Sequence, residues 1–338
     1  MVDILDASNG VSRLSLLGDE EEQDFKWKKP LELFAERKFV RICAPMVRYS
    51  KLPFRLLTRK YGVDLAYTPM IVSNSFLCSL KARDSDFTTC NVDRPLIVQF
   101  AASNTEDFVS ASQIVVPYAD GVDLNCGCPQ RWAQAEGYGA CLLRKPEIVQ
   151  DLIRQTKGAI SSQDFTISIK IRIHHNIRET VEFCRKMEHA GLSWLAVHGR
   201  TPEQRGEPVN NEAIQLIKSS VNIPVIANGD VKSLEGAKKI HKETKANGIM
   251  AARGILSNPS MFAGYQSTPE ECVKDWIYLA LSTGTSFQCF HHHLTFMLQK
   301  AMSRAEQTVF ASLASTSSVL QFLKENFGIS APRVPVKS

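Results

Sequence analysis

The sequence predicts an α/β fold, a (β/α)8 TIM barrel followed by a small C-terminal α-helical domain. Three observations carry this expectation. From Phe39 onward, eight short apolar runs alternate with amphipathic helical stretches across about 220 residues, a pattern that favours a closed parallel barrel over an open doubly wound sheet. All eight runs end on polar or small residues, which a closed barrel gathers at one mouth. After Gln266 the pattern changes to helices with no strands between them.

Taken in order, residues 1–35 read as an N-terminal tail, with Asp19-Glu20-Glu21-Glu22-Gln23-Asp24 set against Lys26, Lys28 and Lys29 before Pro30. The barrel is expected over residues 36–266. Its strand candidates are Val40 to Met46, Leu65 to Ile71, Leu96 to Ala101, Val122 to Asn125, Thr166 to Ile173, Trp194 to His198, Val225 to Asn228 and Gly248 to Ala252. Helical periodicity falls on Pro146 to Ile160, Arg178 to Ala190 and Asn211 to Ser219, with a weaker stretch from Leu234 to Glu243. The helical domain, residues 267–330, is expected to hold three helices, Pro269 to Leu281, Phe290 to Ser303 and Gln307 to Glu325, before a C-terminal tail at 331–338. The run His291-His292-His293 points three ways on a helix, so solvated or half-buried histidines are expected there rather than a metal site. There is no internal repeat and no low-complexity segment.

Composition narrows the class. At 338 residues and 44% hydrophobic content, the chain is long enough for one large core and a smaller satellite. Its nine cysteines are odd in number, scattered, and preceded by no apolar signal segment. A reducing compartment follows as the expectation, the cytoplasm first and the nucleus as the alternative. No run approaches the roughly 18 apolar residues that span a bilayer, so no membrane partner is expected. A net charge of +5 and a pI near 8.7 permit a polyanionic partner without requiring one. From Ser267 onward six Lys or Arg stand against five Asp or Glu, so the helical domain does not advertise a basic face.

The segment Val122 to Pro129 runs an apolar strand into Asn125, Cys126, Gly127 and Cys128. A thiol there sits where strand rigidity ends and loop exposure begins, the position of a catalytic thiol. One residue between the cysteines is fewer than the two to four usual in zinc sites, and no second pair follows. A disulfide between them is disfavoured by its torsion. A free cysteine is equally at home as a small buried hydrophobe, and this segment alone leaves both readings open. Asn228-Gly229-Asp230 and Ala251-Ala252-Arg253-Gly254 occupy the loops after strands seven and eight, where backbone amides and an arginine can hold a phosphate. In Ser168-Ile169-Lys170-Ile171-Arg172, alternation puts both isoleucines on one face and both cations on the other. A lumenal Lys170 would compensate an anionic ring system such as a reduced flavin. His198 fits a satisfied core histidine as well, and its position before Gly199-Arg200-Thr201 favours the mouth.

Together Ala44-Pro45-Met46, Gln99, Asp123 to Pro129, Gly137 to Leu143, Lys170-Ile171-Arg172, His198 to Thr201, Asn228-Gly229-Asp230 and Arg253-Gly254 resemble the tRNA-dihydrouridine synthases, in order and spacing, over roughly residues 39 to 266. Cys43 to Lys51 and Cys128 to Trp132 resemble most closely the eukaryotic branch associated with positions 20a and 20b of the tRNA D loop. The resemblance implies FMN held by Pro45, Met46, Gln99, Lys170, His198, Asn228, Gly229, Asp230, Ala252 and Arg253, with NADPH or NADH as reductant. It implies Cys128 as the catalytic acid, Asn125 and Arg172 on the target uracil, and no metal. The family often has glycine where this chain has Ala252; a methyl leaves the amide donor intact. Cys126 has no matching role and reads as packing. The resemblance further implies a monomer whose helical domain binds tRNA. Two rivals stand beside it: an FMN-dependent reductase of free pyrimidines, and a tRNA-binding protein without catalysis.

Overall fold

The computed structural model describes residues 26–330; the acidic run at 19–24 and the C-terminal tail at 331–338 lie outside the described residues. The chain first forms α1 (Pro30–Glu36) and β1 (Val40–Cys43), then α2 (Leu52–Lys60), β2 (Leu65–Tyr67), β3 (Ile71–Val72), α3 (Ser73–Cys78) and α4 (Leu80–Asp86). Next come β4 (Leu96–Ala101), α5 (Thr105–Val115), β5 (Gly121–Cys126), α6 (Arg131–Ala135), α7 (Pro146–Ala159) and β6 (Thr166–Arg172). The barrel finishes with α8 (Ile177–His189), β7 (Trp194–His198), α9 (Asn211–Ser220), β8 (Val225–Asn228), α10 (Leu234–Thr244), β9 (Gly248–Ala251) and α11 (Arg253–Ser257).

Every pairing is parallel, and β1 joins both β2 and β9 while β2 pairs with β4, which closes the sheet into a barrel of eight strands. The ninth, two-residue β3 pairs beside β4. The expected strand Leu65 to Ile71 is therefore split, and the cause is local. Pro69 has no amide hydrogen to continue the ladder, and the Thr68 hydroxyl accepts the Gln99 amide at 3.1 Å.

Register and alternation together fix which residues enter the lumen. One row aligns Gln99, Asp123, Ser168 and Trp194 around four adjacent strands. A second aligns Asn125, Lys170 and Ala196, and a third aligns Arg172, His198, Asn228 and Met250. Polar residues thus occupy the upper lumen, while Val122, Leu124 and Cys126 face the surrounding helices. The lower lumen is apolar and stoppered. Phe34 of α1 meets the Trp194 ring at 5.3 Å, and the Trp194 indole donates to the Tyr67 hydroxyl at 3.0 Å. Part of the segment expected as a tail is therefore structure: Pro30, Leu33 and Phe34 are buried. Burying a side chain of Phe34's size contributes about 1.5–3 kcal/mol, enough to hold a two-turn helix in place.

Four helices follow, α12 (Glu270–Ser282), α13 (Phe287–Leu298), α14 (Arg304–Ser312) and α15 (Thr316–Phe327). The expected third helix is two, because Leu313 takes an extended conformation and Ser315 caps α15 by accepting from Ser318. These helices are docked on α2: Tyr61 and Lys60 each bond Asp275 at 2.7 Å. His293 stacks on Phe54 and lies tilted against Trp276, each 4.4 Å away between ring centres. The expectation of solvated or half-buried histidines therefore fails for His291 and His293, both buried, because His293 faces Tyr49 and Phe54 of the barrel while His291 faces Phe310 of α14. Among the described residues no helix is long and apolar enough to cross a membrane.

Candidate active site

The loop after β5 is built around one side chain. Asn125, the last lumenal residue of β5, accepts the backbone amides of Gly127 at 3.1 Å and Cys128 at 2.9 Å through its Oδ1. This caps the strand and turns the chain so that Cys128 emerges half-buried. From the other side Ala140 donates to the Cys128 carbonyl at 3.0 Å. Gly139 must be glycine for that approach: its φ is +72°, and a Cβ would stand 2.6 Å from the Cys128 carbonyl oxygen. Cys126 is fully buried among helices, and burial pushes its thiol well above the ordinary value. All nine cysteines are free.

Below the thiol lies a continuous polar network. Asn125 Nδ2 donates to Gln99 Oε1 at 2.9 Å, Gln99 Nε2 donates to Asp123 Oδ2 at 2.8 Å, and Ser168 Oγ donates to Asp123 Oδ1 at 2.7 Å. Burial raises the Asp123 carboxyl to about 6 against the opposing pull of Ser168, Gln99 and Lys170. Lys170, half-buried and without an ion pair among the described residues, is pushed down to about 8 by burial and then by Arg172. Arg172 spends Nη1 on the carbonyls of Thr201 and Gln204, at 2.7 and 2.9 Å, which leaves Nε and Nη2 for a ligand.

Across the mouth, a cavity of about 690 Å³ opens between the ends of β7, β8 and β9 and the end of α13. Its barrel wall includes His198, Asn228, Gly229, Asp230, Ala252 and Arg253; Met297, Leu298 and Lys300 close the far side. Asp230 sits between two guanidinium groups, Arg200 Nη2 and Arg253 Nη2, the latter at 3.1 Å. Two cations on one carboxylate leave a net positive charge for an entering phosphate. Gly229 has a φ of +130°, and a Cβ there would meet Val209 at 2.6 Å, so the tight turn over the cavity requires glycine. Arg200 also approaches His198 Nε2 at 3.3 Å. Because arginine only donates, Nε2 accepts and the proton resides on Nδ1. Burial, then Lys170 and Arg172, hold His198 far below its ordinary value, so the ring is neutral.

Of the expected site residues, six line this cavity. Arg172 shares a lumen row with His198 and Asn228 of the cavity wall, and Gln99, Asn125 and Lys170 stand in the lumen rows below it, whereas Pro45 and Met46 stand beyond β1, where the Met46 amide donates to Ser50 Oγ at 2.9 Å. Cys128 lies outside the cavity wall, but the loop that carries it runs against the end of β6: a Cβ on Gly127 would stand 3.2–3.4 Å from the backbone of Lys170, Ile171 and Arg172. Asp123, Ser168 and Arg200 carry the site although the sequence assigned none of them a role: all three lay inside quoted motifs, but their partners are distant, Asp123 and Ser168 meeting across 45 residues and Arg200 reaching Asp230 across 30. A second cavity, of about 590 Å³ beside Cys141 and His174, contains none of the expected residues. Among the described residues no group of three or more His, Cys, Asp or Glu is placed to hold a metal.

A closed parallel barrel with a thiol, a half-buried cation and an arginine-bearing cavity at the carboxyl ends of its strands is a (β/α)8 protein whose polar mouth is the candidate active site. The family model described as dihydrouridine synthase (Dus) matches residues 42–326, and the chain belongs to that family. It is 53% identical over 302 residues to a human tRNA-dihydrouridine(20a/20b) synthase-like protein, covering 89% of this chain and 95% of the human one. A mouse protein of the same name is 53% identical over 301 residues, covering 89% of this chain and 93% of the mouse one. A Schizosaccharomyces pombe tRNA-dihydrouridine(20a/20b) synthase is 42% identical over 313 residues, 91% of this chain and 95% of that protein. All three names carry NAD(P)+.

Proposed function

We propose that this protein reduces the 5,6 double bond of D-loop uridines in tRNA, at positions 20a and 20b, with FMN as hydride carrier and NADPH or NADH as reductant. The observation that carries the reading is the mouth itself: a thiol loop fixed by Asn125 and packed on the Lys170–Arg172 end of β6, with a cavity across the mouth that has a net positive corner for a phosphate.

The residues present fit FMN. Asn228, Gly229, Asp230, Ala252 and Arg253 offer backbone amides and a cation to a phosphate, and the cavity volume falls within the roughly 300–1,000 Å³ usual for ligand sites. His198 Nδ1–H and the second hydrogen of Gln99 Nε2 remain available as donors. Lys170 supplies positive charge without an ion pair to neutralise it. When bound, reduced FMN supplies the hydride for carbon 6 of uracil.

The chain's own work is to hold the base and to protonate it. Arg172 and the free Nδ2 hydrogen of Asn125 are placed to donate to uracil carbonyls. Cys128 delivers its thiol proton to carbon 5, and solvent at the half-buried position restores it. A uridine folded into tRNA must leave its stack to reach this depth. The helical segment 267–330, which forms one wall of the cavity, is assigned to the tRNA body.

The test is reduction of an unmodified tRNA transcript beside free uridine, with NADPH and FMN, read by mass spectrometry. Dihydrouridine in the transcript at 20a or 20b, with free uridine unchanged, is expected. Turnover of free uridine at equal rate would replace the RNA reading with a small-pyrimidine reductase, and turnover of neither would overturn both.

A further inference from the structure

We propose that Asp123 is the positioning residue for the Cys128 loop, acting through Gln99 and Asn125. The inference deepens the proposed function and rests on it.

An amide side chain can face either way, and nothing in its shape decides which. Gln99 lies between two groups that impose opposite demands. A carboxylate only accepts, so Asp123 Oδ2 takes the Gln99 Nε2 hydrogen and turns Gln99 Oε1 toward Asn125. Gln99 Oε1 then accepts from Asn125 Nδ2, which turns Asn125 Oδ1 outward. Only in that orientation can Asn125 Oδ1 accept the Gly127 and Cys128 amides. The second Asp123 oxygen is held by Ser168, so the carboxylate cannot rotate away. Every side chain of the relay is buried. No water competes for these bonds, and a flipped amide would set N–H against N–H.

The cost of the arrangement indicates its use. A carboxylate fully out of water is expensive, and an apolar residue would serve the packing better. What the apolar residue lacks is the ability to fix the sense of the amides above it. Asp123 does not line the cavity, and it reaches the site by two routes, through the two amides and through its charge on Lys170; the second acts on the flavin and would register in flavin reduction, the first only in reoxidation.

The experiment compares the full-length protein with Asp123→Leu, Asp123→Asn, Asn125→Ala and the Asp123→Leu/Asn125→Ala double variant, all saturated with FMN. Two rates are read anaerobically: flavin reduction by NADPH, which needs no thiol, and flavin reoxidation by unmodified tRNA, which does. For Asp123→Leu, reduction is expected to stay within about threefold while reoxidation falls roughly 100-fold, the scale for a misplaced reacting group. Asn125→Ala, which removes a donor to uracil as well as the cap, should slow reoxidation at least as much as Asp123→Leu. The double variant should be no slower than Asn125→Ala, because both cuts sever one relay. Asp123→Asn, whose oxygen can still serve Gln99 in one of two orientations, should recover most of the loss but remain several-fold below wild type.

Equal slowing of both rates in Asp123→Leu, or additive losses in the double variant, would return Asp123 to a purely fold-holding role. If Asp123→Leu does not fold, Asp123→Asn decides: loss confined to reoxidation supports the relay, and wild-type rates in both steps overturn it. A wild-type protein that NADPH reduces but tRNA does not reoxidise overturns the tRNA reading itself, and with it the purpose assigned to the relay.

Discussion

Between Cys126 and Cys128 the chain leaves the sheet, and that change of backbone separates two thiols of the same intrinsic chemistry. Cys126 ends β5 with its side chain toward the helices and its thiol pushed up by burial; Cys128 stands past the Asn125 cap, half-exposed at the mouth. Cys128→Ala is therefore expected to bind FMN and accept hydride from NADPH normally while losing about 10²–10⁴-fold in dihydrouridine formation, the range for removing a general acid. Cys126→Ala should fold and turn over near the wild-type rate; an inactive Cys126→Ala beside an active Cys128→Ala would reverse the assignment. The strand-end position of Cys128 and the alternation around Lys170 were legible in the sequence because both are local patterns. Asp123 was not, because its partners Gln99 and Ser168 lie 24 and 45 residues away and meet it only once the register is set.

At the scale of elements, α2 is pinned by a charge cluster that no periodicity reveals. Asp93 accepts from Arg55 at 2.9 and 2.7 Å and from Arg59 at 3.0 Å, and Arg55 is itself buried. Asp93→Ala leaves a buried guanidinium uncompensated, and a loss of about 3–5 kcal/mol in urea denaturation is expected; a loss near zero would show that water reaches Arg55. Phe54 of the same helix stacks on His293 of α13, which ties the C-terminal helices to the barrel. The His293 Nε2 contacts the Tyr49 carbonyl at 3.2 Å while Nδ1 has no partner, and burial holds the ring down to about 3. The unfolded chain protonates this histidine near 6.5 and the folded one does not, so stability is lost as pH falls below 6.5, by up to roughly 1.4 kcal/mol per pH unit. His198 contributes in the same sense. The diagnostic is therefore a comparison: between pH 6 and 5 the stability of His293→Leu should fall less steeply than wild type by about that slope, and identical slopes would mean that His293 is already solvated. Sequence periodicity located this helix but not its buried face, since a helical run of three histidines does not say which neighbour it will meet.

For the whole molecule, closure of the barrel was readable from eight apolar runs with polar ends, whereas what seals its floor was not. The helix that does so is only seven residues long and lies in a charged stretch, and its burial depends on Phe34 finding Trp194 across 160 positions of chain. That stopper has a kinetic consequence. With Phe34, Trp194 and Tyr67 filling the lower lumen, the nicotinamide and the uracil have one doorway between them, and on the proposed reading both must reach the same flavin through it. They must take turns. Initial rates measured while NADPH and tRNA are both varied should give parallel double-reciprocal lines, with excess of either substrate slowing the other by occupying the shared threshold. Lines that intersect would mean that both stand in the doorway at once, and that the mouth is wider in action than its walls imply. A barrel stopped at one end thus trades simultaneous access for alternation, and its rhythm is set at the floor, far from the thiol.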